Sequence, residues 1–283
     1  MSKIGIIGGS ALYEMEGIEI VERKKVETPF GEPSGEYVIG RLAGRDCVFL
    51  PRHGKGHTIL PSEINYRANI YAFKLLGVDQ IISISAVGSL KEEIRPLDIV
   101  LVDQFIDRTN QARPTTFFGN GAVAHVSLAE PVCLELKNLI YEKNRDLDVR
   151  IHDGGTYINM EGPAFSTKAE SFLYKSWGVD VIGMTNMPEA RLAREAGICY
   201  STIAMVTDYD SWRLGPEAED VSIDMIIANL NKNVETAKKI LNNVIPSIPK
   251  KRTCLCRDAI NTALVTPKEA IPAETLKKLK LII

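Results

Sequence analysis

The feature that most constrains this chain is the alternation of short β-branched runs with helical patterns. Ile4–Ile7, Asp46–Leu50, Gln80–Ser85, Ile99–Val102, Val179–Ile182 and Ile198–Val206 are short, apolar and nearly free of alternation, as buried strands are. Between them lie helical signals. Ser62 is placed to cap a helix whose apolar positions Ile64, Ala68, Tyr71, Ala72 and Leu75 share one face, with Gly77 at its end. Thr167 and Glu170 form a capping-box pair, and that helix stops at Gly178. Pro188 and Glu189 open a third helix, which Gly197 closes. Ser222 opens a long fourth one, carrying Ile223, Ile226, Ile227, Leu230, Val234, Ala237 and Leu241 and closed by Pro246. Alternation of this kind specifies the α/β class.

The 283 residues can bury one large core without disulfides or metals, and no repeat or low-complexity tract divides them. A single domain over 1–283 is expected. Residues from about 246 onward form a tail that packs on the body or on a neighbouring subunit. A formal charge of −2 excludes a polyanion-coating surface, so no nucleic-acid partner is expected. The apolar stretch after Lys3 is too short for a secretory core, and no run approaches the roughly 18 residues of a membrane span. A cytoplasmic location follows as the expectation, with no membrane partner. Asp107 to Ala124 is polar and aperiodic, the pattern of a long surface loop.

Five cysteines in a chain this long are not a small-domain disulfide framework, and their linear spacing offers no four-ligand zinc set. Cys254-Leu255-Cys256 could ligate half a metal site, act in redox exchange, or join disulfides with Cys133, Cys199 or each other. A disulfide involving Cys254 or Cys256 is the expectation, which needs a cytosol that tolerates it.

Several loops that follow strands carry chemistry. Gly8-Gly9-Ser10 puts backbone N–H groups and a hydroxyl at a strand's carboxyl end, where α/β proteins bind anions. It matches neither a dinucleotide fingerprint nor a P-loop. Pro51-Arg52-His53-Gly54-Lys55-Gly56-His57 adds a guanidinium fork and two imidazoles, a set better suited to an oxyanion than to a metal because no carboxylate or thiol lies nearby in sequence. Ser83 to Ser89 ends another strand with hydroxyls and a glycine turn. Parallel strands bring such ends together, so these loops converge on a phosphate-sized site. Thr207-Asp208-Tyr209-Asp210 ends the last strand with two carboxylates at i and i+2. They face the same way if the strand continues and diverge if it turns. A buried carboxyl there can donate a proton.

The chain resembles the S-methyl-5′-thioadenosine phosphorylases of the trimeric nucleoside phosphorylase family. The resemblance rests on Gly5–Ser10, Pro51–Gly54 with His57, Asn65–Asn69, Gly88–Leu90 with Glu92–Ile94, Asp103–Thr109, Glu161–Pro163 with Phe165-Ser166, Met184-Thr185 with Pro188-Glu189, and Thr207–Asp210, in family order. It implies a central mixed β-sheet flanked by helices and a homotrimer. It implies phosphorolysis of S-methyl-5′-thioadenosine, with adenosine and inosine as secondary substrates and a broad or 6-oxopurine nucleoside phosphorylase as the alternative. Phosphate is then a co-substrate, and neither metal nor organic cofactor is expected.

The resemblance further implies that Ser10, Arg52, His53, Ser85, Ala86 and Thr185 hold phosphate. Asp208, supported by Asp210, acts at the purine. Phe165 stacks on the base, Met184 lies along the ribose, His125 covers the 5′ end of the adjacent subunit, and Ile226 lines the 5′ pocket. An aspartate pair favours a 6-amino over a 6-oxo purine, because a carboxylate accepts from the amino group. Ala164 departs from the arginine often found in the family's Glu-Gly-Pro-x-Phe motif.

Overall fold

In a computed structural model, residues 3–9, 12, 17–110, 113–213 and 223–283 are described, with side chains of the last segment from Ile226 onward. Ser10 and Ser222 lie outside these residues. The described residues form one mixed sheet of eleven strands with helices on both faces. Its strands are β1 (Lys3–Gly8), β2 (Ile18–Lys24), β3 (Tyr37–Leu42), β4 (Arg45–Pro51), β5 (Val78–Ser89), β6 (Ile99–Val102), β7 (Gln104–Arg108), β8 (Ile151–Asp153), β9 (Thr156–Met160), β10 (Val181–Gly183) and β11 (Cys199–Tyr209). The helices are α1 (Tyr66–Leu75), α2 (Leu134–Asn144), α3 (Lys168–Ser176), α4 (Asn186–Glu195), α5 (Ile223–Val244) and α6 (Ala273–Leu279).

The long strand β5 organises the sheet. One of its edges pairs with β11 in parallel along nearly its whole length, from Gln80 opposite Cys199 to Ser89 opposite Tyr209. The other edge is shared. Parallel β1 covers it as far as Ser83, and antiparallel β10 takes over at Gly88. From Ile84 to Val87 that edge has no strand neighbour among the described residues, and the sheet splits there. Beyond β1 the order runs β4, β3, β2; beyond β10 it runs β9, β7.

Strand alternation sends side chains to two cores. Ile4, Ile6, Ile82, Ile84, Ile203 and Met205 meet Leu136 and Ile140 of α2 and Ala237, Ile240 and Leu241 of α5. On the opposite face Ile7, Val48, Leu50, Ile81 and Tyr200 meet Ile70 and Phe73 of α1 and Ala190 and Ala193 of α4. Ile271, Leu279 and Ile282 of the tail complete this second core, so the tail packs on the body of its own chain.

Two helix starts and parts of two apolar faces differ from expectation. Asn65, not Ser62, caps α1: its side-chain oxygen accepts from the Ala68 amide at 3.1 Å, and Leu75 is exposed rather than buried. Helix α4 begins at Asn186, two residues before Pro188. The apolar positions Ile227 and Leu230 of α5 are exposed, whereas Ala237 and Leu241 are buried. The capping box at Thr167 and Glu170 is formed. The stretch from Asp107 is not wholly a surface loop, since β7 extends to Arg108 and Arg113, Phe117, Phe118 and Ala122 are buried.

The expected disulfide is absent. All five cysteines are free thiols; Cys199 and Cys254 approach to 3.1 Å between sulfurs, too far for a disulfide of about 2.05 Å. The absence of a four-ligand set in the linear spacing is also overturned in space, because Cys133, Cys199, Cys254 and Cys256 lie in one cluster. Helix packing and strand order bring together positions up to 123 residues apart, which no local spacing reveals.

Candidate active site

The split in the sheet opens into a cavity of about 450 Å³. Its floor is the carboxyl ends of β1, β4 and β5 with the start of α4; its far wall is the end of β11 and the inner face of α5. Arg52, His53, Ser85, Ala86, Thr185, Phe165, Met184, Asp208, Asp210 and Ile226 all line it. His125 does not line it: this residue is exposed, and its amide donates to the carbonyl of Ala263 at 2.8 Å.

Arg52 enters from the end of β4 and is buried against Glu189 of α4. Its Nε lies 2.7 Å from Glu189 Oε1, and its Nη2 lies 3.1 Å from Oε2. Nη1 donates to the free Ile84 carbonyl at 2.7 Å, so the guanidinium caps the very edge that lacks a strand neighbour. Ser83 and Tyr200 both donate to Glu189 Oε2 at 2.7 Å, and Asn186 donates to Ser83 and Tyr200 at 3.1 and 2.8 Å. Such a network is favourable only when each member is satisfied. Glu189 was legible as a first-turn helix residue; its pairing with Arg52 was not.

His53 donates from Nδ1 to the Ile59 carbonyl at 2.9 Å, since a carbonyl can only accept. Burial pushes its pKa down to about 4, with the Arg52 charge adding to the effect and the Ile59 hydrogen bond opposing it. The neutral ring therefore presents an unprotonated Nε2. His57 stacks on it, with ring centroids 4.3 Å apart. Thr185 stands at the N-cap of α4 with no side-chain cap bond, leaving its hydroxyl near the positive end of that helix.

At the opposite side, a bulge at Thr207 shifts the β11 register so that Asp208 faces Gly88. Helix α5 reaches the backbone at the bulge: Asn229 donates to the Thr207 carbonyl at 2.7 Å, and Asn233 donates at 2.9 Å to the Val206 carbonyl, which also accepts from the Leu97 amide at 2.9 Å. Asp208 and Asp210 both face Gly88, where an added Cβ would lie 3.1 Å from Asp208 Oδ2 and 3.4 Å from Asp210 Cβ. Both residues line the cavity. Burial pushes the Asp208 carboxyl up to about 6, opposed by the Thr207 hydroxyl 2.6 Å away and aided by the charge of Asp210. Burial raises Asp210 as well, while Ser166 donates to its Oδ1 at 3.1 Å.

Met184 is seated from behind by a residue that the sequence pattern placed in a surface loop. Arg113 donates to the Met184 and Glu161 carbonyls and pairs with the Glu161 carboxylate at 2.9 Å. Gly162 has φ +70°, and a Cβ there would meet Met184 Sδ at 2.5 Å. Phe165 stands half-exposed at the rim.

A donor-lined, helix-terminated floor facing two buried carboxyls across an apolar-walled cavity suits a reaction between an oxyanion and a neutral ring compound. The comparisons with known proteins bear on which one. The Phosphorylase superfamily model matches residues 3–246. The chain is 59% identical over 280 residues to an S-methyl-5′-thioadenosine phosphorylase of Geobacter sulfurreducens, covering 99% of this chain and 97% of the relative.

This chain belongs to the S-methyl-5′-thioadenosine phosphorylase family.

A second family member, from Koribacter versatilis, is 57% identical over 100% of this chain and 96% of its own. Among solved structures, a methylthioadenosine phosphorylase from an antarctic soil metagenomic library superposes with a TM-score of 0.94 at 48% identity, covering 100% of this chain and 99% of that one. The methylthioadenosine phosphorylase of Schistosoma mansoni in complex with adenine gives 0.87 at 36% identity, over 93% and 99%. Membership makes the chain an enzyme, a pentosyltransferase of the phosphorylase type.

Proposed function

We propose that this enzyme cleaves S-methyl-5′-thioadenosine with inorganic phosphate, releasing adenine and 5-methylthioribose 1-phosphate. The observation that carries the reading is the placement of a buried carboxyl with a raised pKa, Asp208, across the cavity from an oxyanion-suited floor at Arg52, His53 and Thr185.

In this reading phosphate sits among Arg52, His53, Ser85, Ala86 and Thr185, joined by Ser10, which lies outside the described residues. The Arg52 charge is already balanced by Glu189. The dianion is therefore held chiefly by donors: the remaining Arg52 N–H, the hydroxyls, the amides and the α4 terminus. A phosphate oxygen attacks C1′ as the bond from C1′ to N9 breaks, and the bonding pair leaves with the purine. Negative charge develops on the base, and a proton placed at N7 lowers that barrier. Asp208 supplies it: with a pKa of about 6, roughly a tenth of the molecules hold the proton at neutral pH. As a carboxylate, Asp208 accepts from the 6-amino group, which favours adenine. Burial keeps the Asp208 pKa high, the Asp210 charge adds to it, and Asp210 accepts from Ser166.

Phe165 covers the base and Met184 the ribose. Ile226, with Leu230 and Val234 of α5, gives the 5′ end an apolar wall suited to a methylthio group. A missing methyl is worth only about 1 to 3 kcal/mol, so nucleosides with a 5′-hydroxyl, adenosine and to some extent inosine, react as secondary substrates. His125, exposed in its own chain, covers the 5′ end of the adjacent cavity in a homotrimer. A cytoplasmic role in purine salvage fits these substrates, and among the described residues no helix is long and apolar enough to cross a membrane.

Chromatography of the bases released from methylthioadenosine, adenosine and inosine, each with and without phosphate, tests this. Adenine released only with phosphate and fastest from methylthioadenosine supports the reading. Fastest release from inosine overturns the substrate assignment.

A further inference from the structure

On the α2 and α5 side of the sheet, away from the cavity, four thiols converge. Cys133 stands at the N-cap of α2, Cys199 is the first residue of β11, and Cys254 and Cys256 lie on one 3-10 turn of the tail, Leu255–Asp258, and its cap. Their sulfurs all lie within 4.8 Å of one another, and none is in a disulfide. A tetrahedral zinc ion bound at about 2.3 Å by four thiolates spaces those sulfurs about 3.8 Å apart, within the span of this cluster. Cys133, Cys199 and Cys256 are buried and Cys254 is half-buried, the closed, solvent-poor arrangement of a structural rather than a catalytic site.

The surroundings match the charge such a site would carry. A divalent ion with four thiolates leaves a net charge of two minus, and two guanidiniums touch the sulfurs. Arg194 Nη1 lies 3.8 Å from Cys256 Sγ, and Arg252 Nη1 lies 3.7 Å from Cys199 Sγ. Arg194 also donates to the Glu130 carbonyl, and Arg252 to the carbonyls of Asp79 and Gly197 at 3.1 and 2.8 Å, so both are held in place. Hydrogen bonds to ligating sulfur from such outer groups orient and stabilise metal sites. Cys47, the remaining cysteine, is apart from this group, on β4 between β1 and β3.

We infer that Cys133, Cys199, Cys254 and Cys256 form a tetrathiolate site for a structural zinc ion that fastens the C-terminal tail to α2 and β11. Binding releases the four thiol protons and involves no oxidation. Soft thiolates in tetrahedral array select zinc over harder divalent ions. Because the ligands come from three distant segments, the metal stabilises the folded chain and not the unfolded one.

The test is metal analysis of the full chain, produced with zinc in the medium and purified under a non-thiol reductant without chelator. The expected result is about one zinc per chain, falling at least about tenfold in a Cys254→Ser/Cys256→Ser variant and unchanged in Cys47→Ser. After zinc removal, added cobalt should give the visible d–d bands of a tetrahedral thiolate site in the wild-type chain, a readout that does not depend on the variant folding. The inference is overturned if the wild-type chain carries no stoichiometric zinc and gives no cobalt thiolate spectrum. It is overturned equally if non-reducing denaturation of protein purified without reductant shows the four thiols paired as disulfides and the reduced chain fails to take up zinc.

Discussion

Arg52 and Glu189 form a bidentate ion pair beneath the cavity, 2.7 and 3.1 Å between heavy atoms, with side chains only 4% and 2% exposed. The pair joins β4 to α4 and supports both the free edge of β5 and the terminus of α4. It couples the stability of the fold to the geometry of the proposed phosphate floor.

Removing one partner of a buried pair leaves a charge without compensation. Glu189→Gln should therefore lower unfolding stability by about 3 to 5 kcal/mol. Urea denaturation with and without phosphate checks this. The variant's midpoint should fall, and phosphate should recover part of the loss by occupying the floor beside Arg52. An unchanged midpoint would contradict the structural role of the pair.

Asp208→Asn should lower turnover of adenine nucleosides at least about tenfold and shift relative preference toward 6-oxopurines, because an amide cannot supply the proton to N7 but can donate to a 6-oxo group. Relative rates measured on methylthioadenosine and inosine decide it; an unaltered ratio would remove Asp208 from the base site.

The same substitution has an opposite effect on stability. The folded Asp208 pKa, raised by burial to about 6, lies above the unfolded value near 4, so its contribution is fully present below pH 4 and lost as pH rises through 6. At pH 7.5 the ionised wild-type group costs on the order of 2 to 3 kcal/mol, which Asp208→Asn relieves. The variant should be more stable than wild type at pH 7.5, with the difference vanishing near pH 4. Equal stability at both pH values would show that the folded pKa is not raised.

His53 is held near pKa 4 in the free site. A phosphate dianion against its ring opposes that shift, so phosphate should raise the His53 pKa by at least about one unit. The chain has four histidines, which makes assignment of ring signals by His53→Gln straightforward in an NMR titration. An unmoved His53 titration under saturating phosphate would place the anion elsewhere.

Gly88→Ala would push a methyl group to 3.1 Å from both Asp208 Oδ2 and Ile182 Cγ2. The carboxylate must give, so kcat should fall at least about tenfold while the fold survives. Circular dichroism with steady-state kinetics separates the two effects; full activity would show that Asp208 has freedom to move.

The elements that were legible in the sequence are those whose local signals agree with their burial. The six apolar runs are strands, and Thr167 with Glu170 caps α3, because core strands and capping boxes write themselves into neighbouring residues. Strand β2 was not legible: it is an exposed edge strand, ending in Glu22, Arg23 and Lys24, with no buried residue. Strand β8 is three residues long. The cap of α1 went to Asn65 because Leu60 to Ile64 form a turn that no propensity separates from a first helical turn.

Arg52, His53, Ser85, Ala86, Asp208 and Asp210 were legible as strand-end motifs, and Thr185, Phe165, Met184 and Ile226 only through the family resemblance, but the contacts that position them were not legible. Arg113 lies 48 residues from Glu161, and Arg52 lies 137 from Glu189. The cysteine cluster escaped for the same reason, since its ligand geometry exists only once β11, α2 and the tail have packed.

The most direct test of the account is phosphorus NMR of the enzyme acting on methylthioadenosine in limiting phosphate. The account predicts that inorganic phosphate disappears mole for mole with adenine release and that a pentose 1-phosphate signal replaces it. Adenine release with the phosphate signal undiminished would contradict it and make water, not phosphate, the nucleophile.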